Sequence, residues 1–484
     1  MKISVRFPAR DASPAETNSE IVDGAEWEFL GIPTEGETNN SAINDALETS
    51  RSDFYIFASS RDILRSVDKQ ALTDWLKSGV KFDLAYGNSR DGSREGRVLE
   101  RPAPSPERLR CQNYLGEVII LSAEYFNRIG GFEAGSEGAE IYALVLKSVR
   151  EEAQIVQINK PFYASPNGRG KSTDWSLFAT VNLQRVREVL SNHLSLTGGG
   201  QVLSVAEDGV HDTRRHVEGS PLVSIVIPTR ARADLDGTSY LIQTLESVTS
   251  LSSYTNYEIV LVIDEGADIE VMTRVRAICE KSKLLEVTWS HPFNFSDKVN
   301  IGAVSSHGDF ILLLNDDVQV ISPNWIESML ALAQRPNAGI SGAMLYFEDE
   351  TIQHAGHAYK DGEASHVGLD EPRFSEGPLR GYRVEREIAG VTAACSMIPR
   401  QVFYDVGGFT GLLPGAFNDV DFSLKVSSRG YDIYWTPHAE LYHFESKSRD
   451  ASVRQFEVEI LRRRWGHKLL LDPYWPYSFT RPVA

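Results

Sequence analysis

Cysteine is scarce in this chain. Among 484 residues there are three, Cys111, Cys279 and Cys395, far apart and without CxxC spacing. Neither a zinc ribbon nor a disulfide framework can organise such a fold, and the usage suits a reducing compartment. Long apolar runs are missing too. No stretch approaches the ~18–20 apolar residues of a membrane span, and the first ten residues carry no apolar core of signal-peptide type. Positive charge is in deficit, with 49 Lys and Arg against 67 Asp and Glu, a net charge of −18. A surface that negative repels phosphate backbones, so no nucleic acid is expected as main partner. A small anionic ligand held through a metal ion remains compatible. The expectation is a soluble, cytoplasmic protein.

What is present is ordinary for a globular chain. Hydrophobic residues make up 42% and charged residues 24%, which rules out wholesale disorder and collagen-like structure. At about 150 residues per domain the length predicts roughly three domains, or two if they are α/β domains of about 250. The clearest boundary spans 191–220, where Gly198-Gly199-Gly200 precedes mostly polar residues and then Pro221. This reads as a linker between a domain at 1–190 and a second at 221–484.

In the second half, Val223-Ser224-Ile225-Val226-Ile227-Pro228 is a short apolar run ended by proline, which predicts a buried parallel strand. Helical spacing follows at 239–251, then a second buried run from Tyr257 to Asp264, a helical pattern at 269–282, and a third run, Phe310 to Leu314, ending in Asn315-Asp316-Asp317. Strands alternating with helices predict a doubly wound, Rossmann-like α/β sheet. Ligands bind such sheets at the carboxyl ends of the strands. Asp264 and Asn315-Asp316-Asp317 stand at such ends and are candidates for one site.

The two halves also align with each other. Ser4 to Arg10 matches Ser224 to Arg230, and Trp27-Glu28-Phe29 through Glu35-Gly36 matches Tyr257-Glu258-Ile259 through Glu265-Gly266. Asn44 to Phe54 matches Asn300 to Phe310 without a gap, and Ile129-Gly130-Gly131-Phe132 matches Val406-Gly407-Gly408-Phe409. Four matches in one order predict a shared fold. The differences are chemical: Thr34 stands opposite Asp264, Ser59-Ser60-Arg61 opposite Asn315-Asp316-Asp317, and Ile141-Tyr142-Ala143 opposite Asp419-Val420-Asp421. If these acids carry chemistry, the first half has lost it.

Adjacent carboxylates such as Asp316 and Asp317 repel and need a cation or donors nearby. Hard ions such as Mg²⁺ or Mn²⁺ take oxygen ligands and bridge to substrate phosphates. A turn or a helix cap would account for the same residues. Asp419 and Asp421 open a helical pattern, where each is either a cap or a general base. His443 closes the strand-like stretch beyond Tyr431-Trp435 and gains a role only if it returns to Asp317.

Here the sequence resembles the family 2 glycosyltransferases of the GT-A fold, especially the bacterial rhamnosyltransferase-like branch. The matching stretches are Ser224 to Arg230, Pro292-Phe293-Asn294-Phe295-Ser296, Leu313 to Val318, Gln353-His354-Ala355-Gly356, Gly407-Gly408-Phe409, Asn418 to Phe422, and Trp435 through His443 to Ser446. They cover about 222–475; the first half looks like a degenerate copy, giving two GT-A-like domains in tandem. The resemblance implies that Pro228, Thr229 and Arg230 line the nucleotide pocket, with Asp264 on the base or ribose and Lys298 on phosphate. It implies Asn315 and Asp316 on the donor, Asp317 and His443 on Mn²⁺ or Mg²⁺, and Asp419 as base. Asn418 replaces the acid that many members carry there, which leaves Asp419 and Asp421 both as candidates.

The implied activity is inverting, metal-dependent transfer from a nucleotide diphosphate sugar, dTDP- or UDP-linked, to a hydroxyl of a glycan or lipid-linked glycan in surface polysaccharide synthesis. The rivals are a sugar nucleotidyltransferase and a non-catalytic carbohydrate-binding or scaffold protein. Pro228-Thr229-Arg230-Ala231-Arg232 is no Gly-rich phosphate loop, which speaks against the first. His354, His357 and His366 fall in a polar segment, 348–388, read as a surface loop. Arg462-Arg463-Arg464-Trp465 with Lys468 reads as a solvated helix face, or else as a peripheral contact with anionic lipid at the inner face of the plasma membrane. Oligomeric state is open, a homo-oligomer included.

Overall fold

The computed structural model describes residues 1–9, 18–33, 40–59, 61–91, 98–165, 182–234, 237–444 and 453–477. Thr34, Glu35, Gly36, Ser60, Glu445 and Ser446 lie outside the described residues. The chain forms two compact units, Met1–Arg214 and Arg215–Ala484.

In the second unit the three apolar runs become parallel strands, Val223–Thr229 between Tyr257–Asp264 and Phe310–Leu314. Both faces are buried because nearly every position is apolar. Ile225, Ile227, Ile259, Leu261, Leu312 and Leu314 point into one layer. Val226, Val260, Val262, Ile311 and Leu313 point into the other. Helices Tyr240–Leu251, Ile269–Ile278 and Trp325–Ala333 cover the first face through Leu241, Val271 and Trp325. Helices Phe295–Ser305, Arg400–Asp405 and Asn418–Ser428 cover the second through Val299, Phe403 and Phe422. Each fully buried side chain of this kind contributes about 1.5–3 kcal/mol, so Leu261→Ala is expected to cost about 2–5 kcal/mol.

The sheet is not parallel throughout. Beyond Phe310–Leu314 comes antiparallel Cys395–Pro399, then Ala338–Tyr346, Asp432–His443 and Val318–Val320. Asp432–His443 runs straight through Pro437. Its register shifts between the pairs Gly342–Trp435 and Met344–Glu440, so the proline sits in an irregularity where a ladder bond is not required. That continuation carries His443 to the end of the sheet where Asp317 lies.

The first unit repeats this plan. Lys2–Ala9 is parallel to Ala25–Pro33 and to Phe54–Ala58. Phe54–Ala58 is antiparallel to Val118–Ser122, which is antiparallel to Leu84–Asp91, which is parallel to Ile155–Ser165. The sequence-matched residues make matched bonds. Asn44 donates through Nδ2 to the Phe132 carbonyl and accepts from its amide, and Asn300 does the same with Phe409. Ser4 donates to Glu28 and Ser224 to Glu258. The edge differs: Asn18–Val22 runs antiparallel there, where the second unit has parallel Lys283–Trp289.

Residues 191–220 are not a structureless tether. Helix Leu183–Leu196 runs into them, and strands Gly200–Ser204 and Asp212–Arg215 pair within them. Gly198 and Gly199, at φ +95° and +84°, end the helix in the left-handed backbone that glycine tolerates. Among the described residues no helix is long and apolar enough to cross a membrane.

Candidate active site

The carboxyl ends of the parallel strands converge on one group of side chains. Thr229, the last residue of its strand and buried, donates through Oγ1 to Asp316 Oδ2 at 2.6 Å and accepts from the Ala231 amide at 2.9 Å. Lys298, buried on helix Phe295–Ser305, reaches Asp264 Oδ1 at 2.7 Å and the Thr229 carbonyl at 3.0 Å. Burial lowers the Lys298 ammonium and Asp264 opposes that shift. Burial and the charge of Asp317 push Asp316 up to about 6, while the Thr229 bond pulls it down. Ala231 holds φ +49°, a costly backbone for a residue with a Cβ. It turns the chain so that Arg230, Arg232, Asp264, Glu265, Trp289, Ser290 and His291 line a pocket of about 250 Å³. Pro228, one residue back, is still within the strand, paired with Val262.

Asp317 is 4% exposed. His443 Nε2 lies 3.2 Å from its Oδ1. The other nitrogen, Nδ1, donates to Gln353 Oε1 at 2.6 Å, and Asn315 Nδ2 donates to Nε2 at 3.0 Å. Nε2 therefore carries a lone pair, and it faces a carboxylate oxygen. Two acceptors this close call for a cation. The donor set of carboxylate oxygen and imidazole nitrogen, with the second ring nitrogen fixed by an outer partner, fits a divalent metal. Gln353 was quoted in the sequence only as part of a motif. Its role is a contact across 90 residues that no local pattern announces.

Asp419 and Asp421 part company. Asp419 is half-buried, with the Ala393 amide 3.3 Å from Oδ2 and the Val420 amide 2.8 Å from Oδ1. Asp421 is fully buried and accepts from Thr410 Oγ1 at 2.6 Å, Trp465 Nε1 at 2.7 Å and Arg464 at 2.9 Å. Phe417, just before this helix, holds φ +56°. Part of the basic patch is thus more than a solvated face, since Arg464 and Trp465 bond to Asp421, although Arg464 stays exposed along with Arg462 and Arg463. The histidine segment is also corrected. His354 and His357 are 0% and 2% exposed, and they lie on short strands rather than in a surface loop.

Residues 221–466 match the family described as "Glycosyltransferase like family 2", half of the chain. The chain belongs to this family. A Sinorhizobium fredii protein, y4gI, is 35% identical over 379 residues, which is 75% of this chain and 41% of that protein. The O-antigen biosynthesis protein RfbC of Myxococcus xanthus is 28% identical over 456 residues, 92% of this chain and 35% of that protein. The chain therefore spans about two fifths or less of the length of these curated relatives. Among solved structures, a mannosyltransferase from Pyrobaculum calidifontis in complex with GDP-Man and Mn²⁺ has 13% identity and a TM-score of 0.36, covering 53% of this chain and 64% of that one. The family match ends at 466 and leaves the first unit unassigned. The acids Asp264, Asp316, Asp317, Asp419 and Asp421 all fall inside it.

Proposed function

We propose that the second unit transfers a sugar from a nucleotide diphosphate sugar, dTDP- or UDP-linked, to a hydroxyl of a glycan or lipid-linked glycan in the synthesis of a surface polysaccharide. The observation that carries this is the facing pair Asp317 Oδ1 and His443 Nε2, beside Asp316 and at the carboxyl ends of the parallel strands. Family membership and the O-antigen name of one relative support it.

Asp317 and His443 would hold Mn²⁺ or Mg²⁺, which when bound supplies charge stabilisation to the departing diphosphate. Thr229, Arg230 and Asp264 bind the nucleoside, with Trp289 walling the same pocket. Lys298 orients Asp264, and Asn315, which donates to His443 Nε2, would release that lone pair to the ion. Asp419 is the base. Its carboxylate is held by two amides yet stays partly exposed, so it can take the acceptor hydroxyl's proton. The hydroxyl oxygen forms its bond to the anomeric carbon as the bond to the diphosphate breaks on the opposite face. The product is inverted and no covalent enzyme intermediate forms. Asp421 serves the fold. The first unit shares the strand order without the acids, and we assign it to binding acceptor or partner, not to transfer. A cytoplasmic setting suits nucleotide sugars and the three free thiols.

The test is the product. Proton NMR should show the transferred sugar with the anomeric configuration opposite to the donor's, and Asp317→Ala should abolish transfer while the protein stays folded. A product that keeps the donor's configuration defeats the proposal.

A further inference from the structure

Beside Asp419 lies a group of three histidines that this chemistry does not use. His354 ends strand Ile352–His354, and His357 and His366 form a register pair across the hairpin His357–Lys360/Glu363–His366. One ring nitrogen from each lies within 4.8 Å of the others. Burial holds His354 and His357 below the ordinary imidazole range, so both rings are neutral, each with one donor and one acceptor.

The hydrogen bonds decide which nitrogen is which. The Thr392 amide donates to His354 Nε2 at 3.2 Å. That nitrogen carries the lone pair, so the ring proton sits on Nδ1, which faces His366 Nδ1 at 2.9 Å and donates to it. Three histidines at this spacing also resemble a metal-ligand set. The three rings include no carboxylate to offset a dication's charge, and the amide on His354 Nε2 belongs to the backbone, whereas the Asn315 side chain beside His443 can rotate away. The positive charge of Arg386 acts on the same ring, which disfavours a dication further.

Thr392 opens a segment that touches both halves of the active site. The next amide, Ala393, donates to Asp419 Oδ2 at 3.3 Å, and the Ala394 carbonyl accepts from the Asn315 amide at 3.0 Å. The segment thus joins Asp419 to the loop that carries Asp316 and Asp317. We infer that His354, held in one tautomer by His366, is a positioning residue that sets Asp419 against the acidic loop through Thr392–Ala394. The inference rests on Asp419 being the base. His357 adds a contact on the same carboxylate, its Nε2 lying 3.9 Å from Oδ2 while its buried Nδ1 makes no hydrogen bond among the described residues.

The test uses steady-state kinetics on the full chain with Mn²⁺ and the donor it accepts. His354→Gln places an amide oxygen near the Nε2 position and keeps an acceptor for Thr392. His354→Asn is too short to do so, and His354→Leu has none. The Asn and Leu variants should lose about ten- to a hundredfold in kcat with donor KM unchanged, and Gln should recover most of the loss. His354→Leu at the wild-type rate overturns the inference. If Leu does not fold, equal rates for Gln and Asn overturn it. Asp419→Asn is run in parallel. Full turnover there defeats the base assignment and this inference together, whereas a dead Asp419→Asn beside an active His354→Leu defeats only the inference. One equivalent of zinc in the purified protein, lost in His354→Leu, would make the cluster a metal site and overturn it as well.

Discussion

His443 Nε2 and Asp317 Oδ1 stand 3.2 Å apart, with His443 Nδ1 bonded to Gln353 Oε1 on the far side of the ring and Asn315 Nδ2 donating to Nε2. Gln353 lies outside the donor pocket yet decides which nitrogen faces the carboxylate. Gln353→Leu frees the ring to take the other tautomer and is expected to weaken Mn²⁺ binding about 10–100-fold. Asp317→Asn should remove binding outright. Calorimetric titration with Mn²⁺ and a nucleoside diphosphate reads both. Wild-type affinity in Gln353→Leu would mean that His443 does not ligate the metal.

The two carboxylates of Asp419-Val420-Asp421 should separate by kind of defect. Asp419→Asn is expected to lower kcat by about 10²–10⁴ with no change in Tm. Asp421→Asn leaves Arg464 and Trp465 facing a neutral group and should cost about 1–3 kcal/mol of stability, while kcat per folded molecule changes little. Paired melting curves and initial rates check this. The reverse pattern would exchange the two roles.

Legibility in the sequence followed the range of the interaction. Val223–Thr229, Tyr257–Asp264 and Phe310–Leu314 were readable because each apolar run stops near a polar residue or proline, although the first strand continues through Pro228 to Thr229. The alignment of Asn44 with Asn300 and of Phe132 with Phe409 showed through because the repeat supplies each half as a template for the other; that each asparagine bonds its phenylalanine did not. The fate of Asp421 was not readable, since an acid at a helix start looks alike whether it faces a substrate or Trp465. His354 misled for a related reason: the wider segment 348–388 is polar, and only the three-dimensional contact with Thr392 shows the ring to be inside. In 191–220 the helix end and the strand pair were not legible, because glycines that end a helix and glycines that loosen a tether have the same spelling.

Gly408 carries the repeat in its backbone. Its φ is +65°, and a Cβ there would lie 2.5 Å from Asn300 Oδ1, the atom that accepts the Phe409 amide. Gly131 has φ +64° and meets Asn44 in the same manner. Gly408→Ala should therefore cost more than the about 1 kcal/mol usual for an unfavourable backbone alone, because the Asn300 bonds must shift too. Gly131→Ala should do the same to the first unit. Gly407, with no atom near its Cβ position, should pay only the backbone term. Denaturant midpoints for the three variants give the comparison, and equal losses at Gly407 and Gly408 would discount the asparagine contact.

Glu258 supplies a pH dependence whose sign can be worked out. It is fully buried under Ser224, Lys283 and His307. Burial alone would raise its carboxyl, but the bonds from Lys283, the His307 amide and Ser224 prevail and hold it at about 2, below its ordinary value of 4.5. A depressed acid binds fewer protons folded than unfolded, so it contributes stability above the unfolded value, and that contribution fades as pH falls from 4.5 toward 2. Glu258→Gln should be less stable than wild type by a constant amount from about pH 5 to 7, and the gap should close on acidification below that. Urea midpoints for the two proteins across the acid range test it. A gap that persists undiminished at the acid end would mean that the loss comes from packing at Glu258 and not from its charge.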